Sequence, residues 1–463
     1  MNILILNGSP KGRYSITLQT VHYLQRKYPT HSFEILNVGQ RVKLLEKDFS
    51  QAQERVAWAD VLLFAYPVYT FIAPSQLHRF IELLKASGIE LSGKFASQLT
   101  TSKHFYDVTA HRYIQDICGD LGLRYIRGLS ADMGLKYVKG LSADMDDLLT
   151  KKGQKQACDF FEYLCWSVQN DVYEPASVCA TTYPNVPVTV QASIEEKQGD
   201  VVILTDCKKE DTQLSDMIER FRGVLPYKTR VINLWDFPFK GGCLGCFHCA
   251  VSGKCVYTDG FDAYLRNEIQ TAQSIVYAFT IQDHSMGARF KMYDDRNFCN
   301  GHRTVTVGMP VGYLISGSYR TETNLQTIIE GRAQVGNNFL AGVATDEVDP
   351  DAAIDRLVKN LSYALEHSYV PPRNFYGIGG MKIFRDLIWL MQGMMRADHK
   401  FYKSHGEYDF PQKKYGTMLK MYLVGALLSS PKMMARMGNA MNDGMLMPYK
   451  KLFEKMDKNE RKR

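Results

Sequence analysis

Asn2-Ile3-Leu4-Ile5-Leu6-Asn7-Gly8-Ser9-Pro10-Lys11-Gly12-Arg13-Tyr14-Ser15-Ile16-Thr17 decides the fold. Ile3 to Leu6 is a continuous apolar run too short for a helix, and it reads as a strand buried on both faces. The chain breaks at Gly8 and Pro10, and a helix opens among Ser15, Ile16 and Thr17. A helix N-terminus presents unpaired amides and partial positive charge, which suits a phosphate. Gly8 and Gly12 let the backbone approach closely. Ser9, Ser15 and Thr17 offer hydroxyls, and Arg13 offers a charged fork of donors. The plain alternative is a capping loop with a chance run of Ser and Thr. The loop lacks G-x-G-x-x-G and an acid placed to hold a ribose, which argues against a dinucleotide fold.

Outward from that loop, short apolar or β-branched runs alternate with helical patterns. Asn2–Leu6, Ser32–Val38, Asp60–Ala65 and Ala96–Thr101 read as strands, and Leu77, Phe80, Ile81 and Leu84 recur at helical spacing. Residues 200–367 repeat the plan, with strands at Asp200–Thr205, Thr229–Leu234, Ser274–Phe279, Val311–Ser316 and Phe339–Ala344, and a helix at Asp351–His367. Strands alternating with helices predict an α/β protein of two doubly wound parallel sheets. The implied domains are 1–167, a linker at 168–198 containing Pro175, Pro184 and Pro187, a second domain at 199–370, and a helical tail at 371–463. A tandem duplication, Gly122–Met133 followed by Gly134–Met145, is too short for a solenoid. One copy is expected to form the last strand region and the other a loop or hairpin.

A chain of 463 residues with 45% hydrophobic and 23% charged residues has globular composition and enough length for two or three domains. The N-terminus has no basic region before its short apolar run, unlike a signal peptide. The best apolar run, Met421–Leu428, is far below the ~20 residues of a membrane helix. A cytoplasmic protein is expected, with cysteines serving metals or redox chemistry rather than disulfides. The net charge of +7 is uneven. Residues 371–463 hold 18 Lys and Arg against 8 Asp and Glu, and 13 of the 20 methionines.

Four of the ten cysteines, Cys243, Cys246, Cys249 and Cys255, form one compact C-x2-C-x2-C-x5-C run. Tight runs of this kind hold [4Fe–4S] clusters. Zinc also takes four thiolates, but its usual sites pair two separated knuckles. Unligated, packed thiols are the third reading. The cluster is favoured.

The strand–GSPK–x–R–x–S–x–T–helix element, with Tyr66-Pro67-Val68-Tyr69-Thr70 after the third strand, resembles the flavodoxin-like NADPH-dependent FMN reductases. The resemblance covers about the first 150 residues. It implies that Ser9, Arg13, Ser15 and Thr17 hold the FMN phosphate, with Pro10 and Ile16 also among the cofactor-binding residues. It places Pro67, Val68, Tyr69 and Thr70 along the isoalloxazine ring, with Thr100, Thr101, Ser102, Lys103 and His104 closing its other edge. The second half resembles the iron–sulfur flavoprotein branch of the same superfamily. It has the cysteines, but after its first strand comes Thr205-Asp206-Cys207-Lys208-Lys209-Glu210-Asp211-Thr212, with no glycine and three carboxylates. A phosphate there would be repelled, so one FMN is expected, in the first half. The resemblance implies NAD(P)H as electron donor, a small-molecule or protein acceptor, and passage of electrons between FMN and cluster within one chain. No side-chain acid or base stands out. Nucleic acid is not expected as a partner, and a homodimer is compatible with the reading. The rival from another class is a non-catalytic redox- or metal-responsive binding protein.

His248, His284 and His302 lie near the cysteines or the expected strand ends, and read as satisfied side chains rather than ligands. Asp294-Asp295-Arg296 reads either as a charge cluster gating the site or, the favoured reading, as a surface or intrahelical charge pair. Cys299 reads either as facing the same cavity or, favoured, as a buried inert thiol. In the tail, Gly377-Ile-Gly-Gly marks a turn. Phe384, Leu387, Ile388, Met391, Met394 and Met395 form one apolar face, and Lys413–Leu428 a second amphipathic helix. These helices either lie on an anionic membrane or a partner, or pack on their own domains. Self-packing is the favoured reading.

Overall fold

The structure, a computed structural model, describes residues 1–102, 106–132, 134–138, 141–145, 147–174, 185–190, 198–408 and 414–460. Lys103, His104, Pro175 and Pro184 of the sequence reading lie outside them. Two compact units emerge: Met1–Ser177 with Cys243–Phe247 and Leu387–Arg463, and Val178–Gly242 with His248–Asp386.

In unit one the strands are β1 (Asn2–Asn7), β2 (Ser32–Leu36), β3 (Val61–Pro67), β4 (Phe95–Ser102), β5 (Arg124–Tyr125) and β6 (Leu129–Asp132). They lie in the order β2-β1-β3-β4-β5, with β6 also on β4, and every pairing is parallel. Ile3, Leu4, Ile5 and Leu6 are fully buried, because helices cover both faces of a parallel sheet. These helices are α1 (Thr17–Lys27), α2 (Val38–Leu45), α3 (Ser50–Trp58), α4 (Ser75–Ala86), α5 (Asp107–Asp120) and α6 (Lys151–Asn170). The first copy of the duplication supplies β5 and β6. The second forms an antiparallel hairpin of β7 (Gly134–Val138) and β8 (Leu141–Met145).

Unit two repeats the architecture with β9 (Gln198–Thr205), β10 (Tyr227–Asn233), β11 (Ser274–Thr280), β12 (Val311–Ser316) and β13 (Leu340–Thr345). Their order is β10-β9-β11-β12-β13, again all parallel. The accompanying helices are α7 (Thr212–Val224), α8 (His248–Ser252), α9 (Phe261–Tyr264), α10 (Gly287–Arg296), α11 (Thr323–Gly336) and α12 (Pro350–His367). Both sheets therefore have the 2-1-3-4-5 order of the flavodoxin-like fold. All nine strands named from the sequence in the two halves lie within two residues of their observed bounds. Part of the linker is strapped to unit two: Val186 N donates to Asp346 O at 2.7 Å, and Arg220 donates to Thr189 O at 2.8 Å.

Four helices follow, α13 (Phe375–Leu390), α14 (Arg396–Ser404), α15 (Tyr415–Leu428) and α16 (Pro431–Glu460). The expected turn at Gly377-Ile-Gly-Gly is corrected: α13 runs straight through it. Gly377 is instead a packing residue, since a Cβ there would come within 2.5 Å of Gln334 O. Near the end of the chain, Leu446, Tyr449 and Phe453 of α16 enter the same apolar cluster as Ile3, Ile5 and Leu63. Arg26 on α1 lies 4.2 Å over the Phe453 ring and reaches Asp457 at 3.5 Å.

Candidate functional site

Strand order reverses between β1 and β3, so the loops leaving these two strands diverge and open a crevice at their carboxyl ends. Gly8 N donates to Ala65 O at 2.9 Å, which fixes the start of the first loop beside β3. Asn7 holds that loop from below. Its Nδ2 donates to Gly12 O at 3.0 Å and to Asn37 Oδ1 at 2.8 Å, and its Oδ1 accepts from Ser9 N at 3.3 Å. Gly12 has φ +54°, the left-handed conformation that turns the chain into a short 3-10 turn ahead of α1. Gly39 on α2 packs so tightly beneath the loop that a Cβ would lie 2.2 Å from Gly8 O.

Ser9, Pro10, Ser15, Ile16 and Thr17 are all buried in this loop. Ser9 Oγ accepts from Lys11 N at 3.3 Å, and Thr17 Oγ1 shares a 2.7 Å hydrogen bond with Thr101 Oγ1. Ser15 is 2% exposed, yet its Oγ has no hydrogen-bond partner among the described residues. Buried hydroxyls without partners are rare and costly. Arg13 stands apart: it is exposed, 4.9 Å over the Tyr14 ring, with its guanidinium donating to the Tyr14 hydroxyl at 2.9 Å.

The loop after β3 meets the end of β4, where Val68 N donates to Thr101 O at 3.1 Å. Pro67, Val68, Tyr69 and Thr70 are half-buried. Tyr69 and Ile72 exchange backbone hydrogen bonds of 2.8 and 3.1 Å, closing a tight turn with Thr70 at φ +45° and Phe71 at φ +73°. Non-glycine residues in that region are strained by roughly 1–3 kcal/mol each, and such strain gathers at functional sites. Thr109, fully buried on α5, holds the turn by donating to Phe71 O. Ser102 Oγ donates to Asp107 Oδ2 at 3.2 Å, and Ser130 Oγ to the same oxygen at 2.7 Å. Asn7, Gly39, Thr109 and Asp107 were not found from the sequence, because each acts through a partner distant in the chain.

In unit two the corresponding loop is closed on itself. Lys208 N donates to Asp211 Oδ2 at 3.1 Å, and Trp235 Nε1 to Asp206 O at 2.8 Å. Burial, with Asp211, Asp206 and Glu210 nearby, pushes the Cys207 thiol up to about 11.

The cysteine run divides between the units. Cys243 and Cys246 belong to unit one, where Gln76 on α4 donates to Cys243 O at 3.2 Å. Gly245 has φ +60°, and a Cβ there would lie 2.1 Å from the Tyr69 hydroxyl. Cys249 and Cys255 belong to unit two, where Cys249 Sγ donates to Phe298 O at 2.7 Å and Cys255 N to Asp262 Oδ2 at 3.1 Å. Among the described residues no group of three or more His, Cys, Asp and Glu is placed to hold a metal ion.

His248 pairs with Lys254 O, His284 with Glu322, and the His302 ring packs on Phe384. Cys299 is 3% exposed, and burial pushes its thiol up to about 12. The surface or intrahelical reading of Asp294-Asp295-Arg296 is corrected for Arg296. That side chain is 1% exposed and pairs with Asp259, itself 2% exposed, through two 2.8 Å hydrogen bonds. Arg296 also donates to Gly241 O at 2.8 Å, and Asp259 accepts from Lys240 N at 3.1 Å. The pair thus braces the approach to the cysteines from within unit two. Between the sheet and α10 and α11 lies a cavity of about 70 Å³, lined in part by Tyr277, Tyr313, Asp294 and Arg332. Burial holds the Tyr277 phenol at about 12, so it is a neutral hydrogen-bonding group there.

No curated protein matches the chain. Among solved structures, an FMN-dependent NADH-azoreductase from Bacillus anthracis str. Ames Ancestor in complex with FMN is 11% identical, over 37% of this chain and 100% of that one, with a TM-score of 0.26. An NAD(P)H:quinone oxidoreductase from Methanothermobacter marburgensis is 15% identical, over 38% and 97%, with a TM-score of 0.26. A putative quinone reductase from Klebsiella pneumoniae is 15% identical, over 38% and 86%, with a TM-score of 0.27. Residues 1–157 match a family described as having a flavodoxin-like fold.

Proposed function

We propose that the protein is an NAD(P)H-dependent FMN oxidoreductase whose flavin binds at the carboxyl ends of β1, β3 and β4. The observation that carries this reading is Ser15 Oγ, buried beside the opening of α1 and without a partner among the described residues. A phosphate oxygen would satisfy that hydroxyl, and although Gln19 N donates to Ile16 O at 2.9 Å, the amides ahead of it at the head of α1 have no intrahelical acceptor to compete for them. The residues therefore fit an FMN phosphate. The strained Tyr69–Ile72 turn and the Thr101–Ser102 strand end lie on the same edge of the sheet, where a ring system would rest. FMN, when bound, supplies hydride and single-electron transfer. The chain's part is to orient the ring, exclude water and leave one face open to a nicotinamide and then to an acceptor.

The test is the visible spectrum of the purified protein, with FMN titration and NAD(P)H oxidation against a quinone or dye. Ser15→Ala should weaken FMN about tenfold, the loss of one charge-assisted hydrogen bond, and leave the flavin-free protein at least as stable as wild type, since the orphaned hydroxyl is gone. Wild-type affinity in the variant, or a wild type that binds no FMN, would refute the reading. Flavin binding without turnover would favour a redox-responsive binding protein instead.

The proposal extends to a [4Fe–4S] cluster on Cys243, Cys246, Cys249 and Cys255, supported by their spacing alone. Among the described residues no group of three or more of these side chains is placed as a metal ligand set, and metal binding is commonly coupled to folding. Protein purified without oxygen is expected to carry about four irons per chain and to lose them in each Cys→Ala variant. Stoichiometric zinc, or no metal, would exclude the cluster.

A further inference from the structure

Helix α15 carries apolar side chains on two opposite sides. Met421, Val424 and Leu428 face inward and form a buried cluster with Met394. The opposite side carries Tyr415, Leu419, Tyr422, Leu423 and Leu427, which are 69%, 67%, 46%, 66% and 54% exposed. Their spacing places them on one stripe, about 18 Å long at ~1.5 Å per residue. Scattered exposed leucines need no explanation, but a contiguous stripe does.

The stripe cannot be turned inward. Gly425 meets Gly393 backbone to backbone, so closely that a Cβ on Gly425 would lie 1.6 Å from Gly393 O. The Tyr422 hydroxyl donates to Gln392 Oε1 at 2.6 Å. These contacts fix the rotation of α15 with its apolar stripe outward.

Charge decides what covers it. Residues 413–451 contain seven Lys or Arg against the single Asp443, and the only charged residue within α15 is Lys420. An apolar stripe edged by tyrosines, with the exposed Lys420 on its own helix, Lys414 at the cap before it and Lys432 just beyond it, complements the headgroup region of an anionic bilayer. A second copy of the chain would bring one basic surface against another. No helix among the described residues is long and apolar enough to cross a membrane.

We propose that α15 seats this stripe in the surface of an anionic membrane, making the protein a peripheral membrane protein. The full-length protein is mixed with phosphatidylcholine vesicles, with and without phosphatidylglycerol, at low and high salt, and the bound fraction is read by flotation. Binding is expected with phosphatidylglycerol only, and it should weaken in high salt as screening shortens the reach of the charges. Leu419→Glu with Leu423→Glu should lower binding at least tenfold. Both positions are exposed, so circular dichroism should show an unchanged fold. The proposal fails if wild type ignores anionic vesicles, or if the double variant binds as wild type does. It also fails if vesicles are ignored while wild type forms a dimer that the double variant dissolves, which would assign the stripe to a second copy.

Discussion

Asp259→Asn is expected to remove about 3–5 kcal/mol from the stability of unit two, because it leaves the Arg296 charge buried without a counter-charge. Arg296 and Asp259 are 1% and 2% exposed, so water cannot replace the missing carboxylate. The aromatic rings of Tyr257 and Phe261, 4.4 and 5.1 Å from the guanidinium, offer only weak compensation. Chemical denaturation followed by circular dichroism measures the loss. Adding Arg296→Met to Asp259→Asn should recover part of it, since the orphaned charge is then gone. A loss below about 1 kcal/mol in the single variant would place the pair in effectively aqueous surroundings. The wild type should also show a matching acid sensitivity. Burial opposes ionisation of Asp259, but hydrogen bonds from Arg296 and Lys240 N outweigh it and hold the carboxyl below its usual range. A carboxyl depressed in the folded state stabilises above its unfolded pKa of about 3.9. That contribution disappears as pH falls through the lower folded value. Asp259→Asn should abolish this component.

Gly39→Ala is expected to lower FMN affinity at least tenfold and to destabilise unit one by about 1–3 kcal/mol, the range of an overpacked core. The new methyl would lie 2.2 Å from Gly8 O and 2.5 Å from Gly8 C, and a backbone group cannot swing aside as a side chain can. Either α2 or the Gly8–Ser15 loop must move. The loop is the thinner structure, and its shape depends on the Asn7 hydrogen bonds to Gly12 O and Asn37. Gly416→Ala is the control, because its Cβ meets nothing within 4 Å and its φ is ordinary. Isothermal titration with FMN and thermal unfolding together measure both effects. Unchanged affinity in Gly39→Ala would mean that the loop is not part of the flavin site.

The strands were legible because parallel strands covered on both faces are written as unbroken apolar runs, as in Ile3–Leu6 and Val201–Leu204, all fully buried. The loop containing Ser9 and Ser15 was legible for the same reason, since a glycine-bearing break directly after such a run has few other uses. The part that Asn7 plays was not legible. It depends on Asn37, thirty residues away, and a strand-end asparagine reads locally as a turn residue. The Arg296–Asp259 pair spans 37 residues, so Arg296 was read against its immediate helical neighbours. The Met-rich tail announced amphipathic helices but not their surfaces. Nothing in the residues of α16 alone says that Tyr449 and Phe453 complete the core begun by Ile3, nor in α15 that its second apolar face stays outward.

That completion by α16 sets an order on the ribosome. Residues 178–386 emerge with every strand of their own sheet and can fold while synthesis continues. Unit one, although its first strands are translated first, lacks Leu446, Tyr449 and Phe453 until residues 178–386 and the helices after them have been made. At ~5–20 residues per second, the nascent first sheet waits on the order of half a minute with part of its apolar surface uncovered. The N-terminal half should therefore be the portion that engages chaperones, and it should be the last to acquire protease resistance.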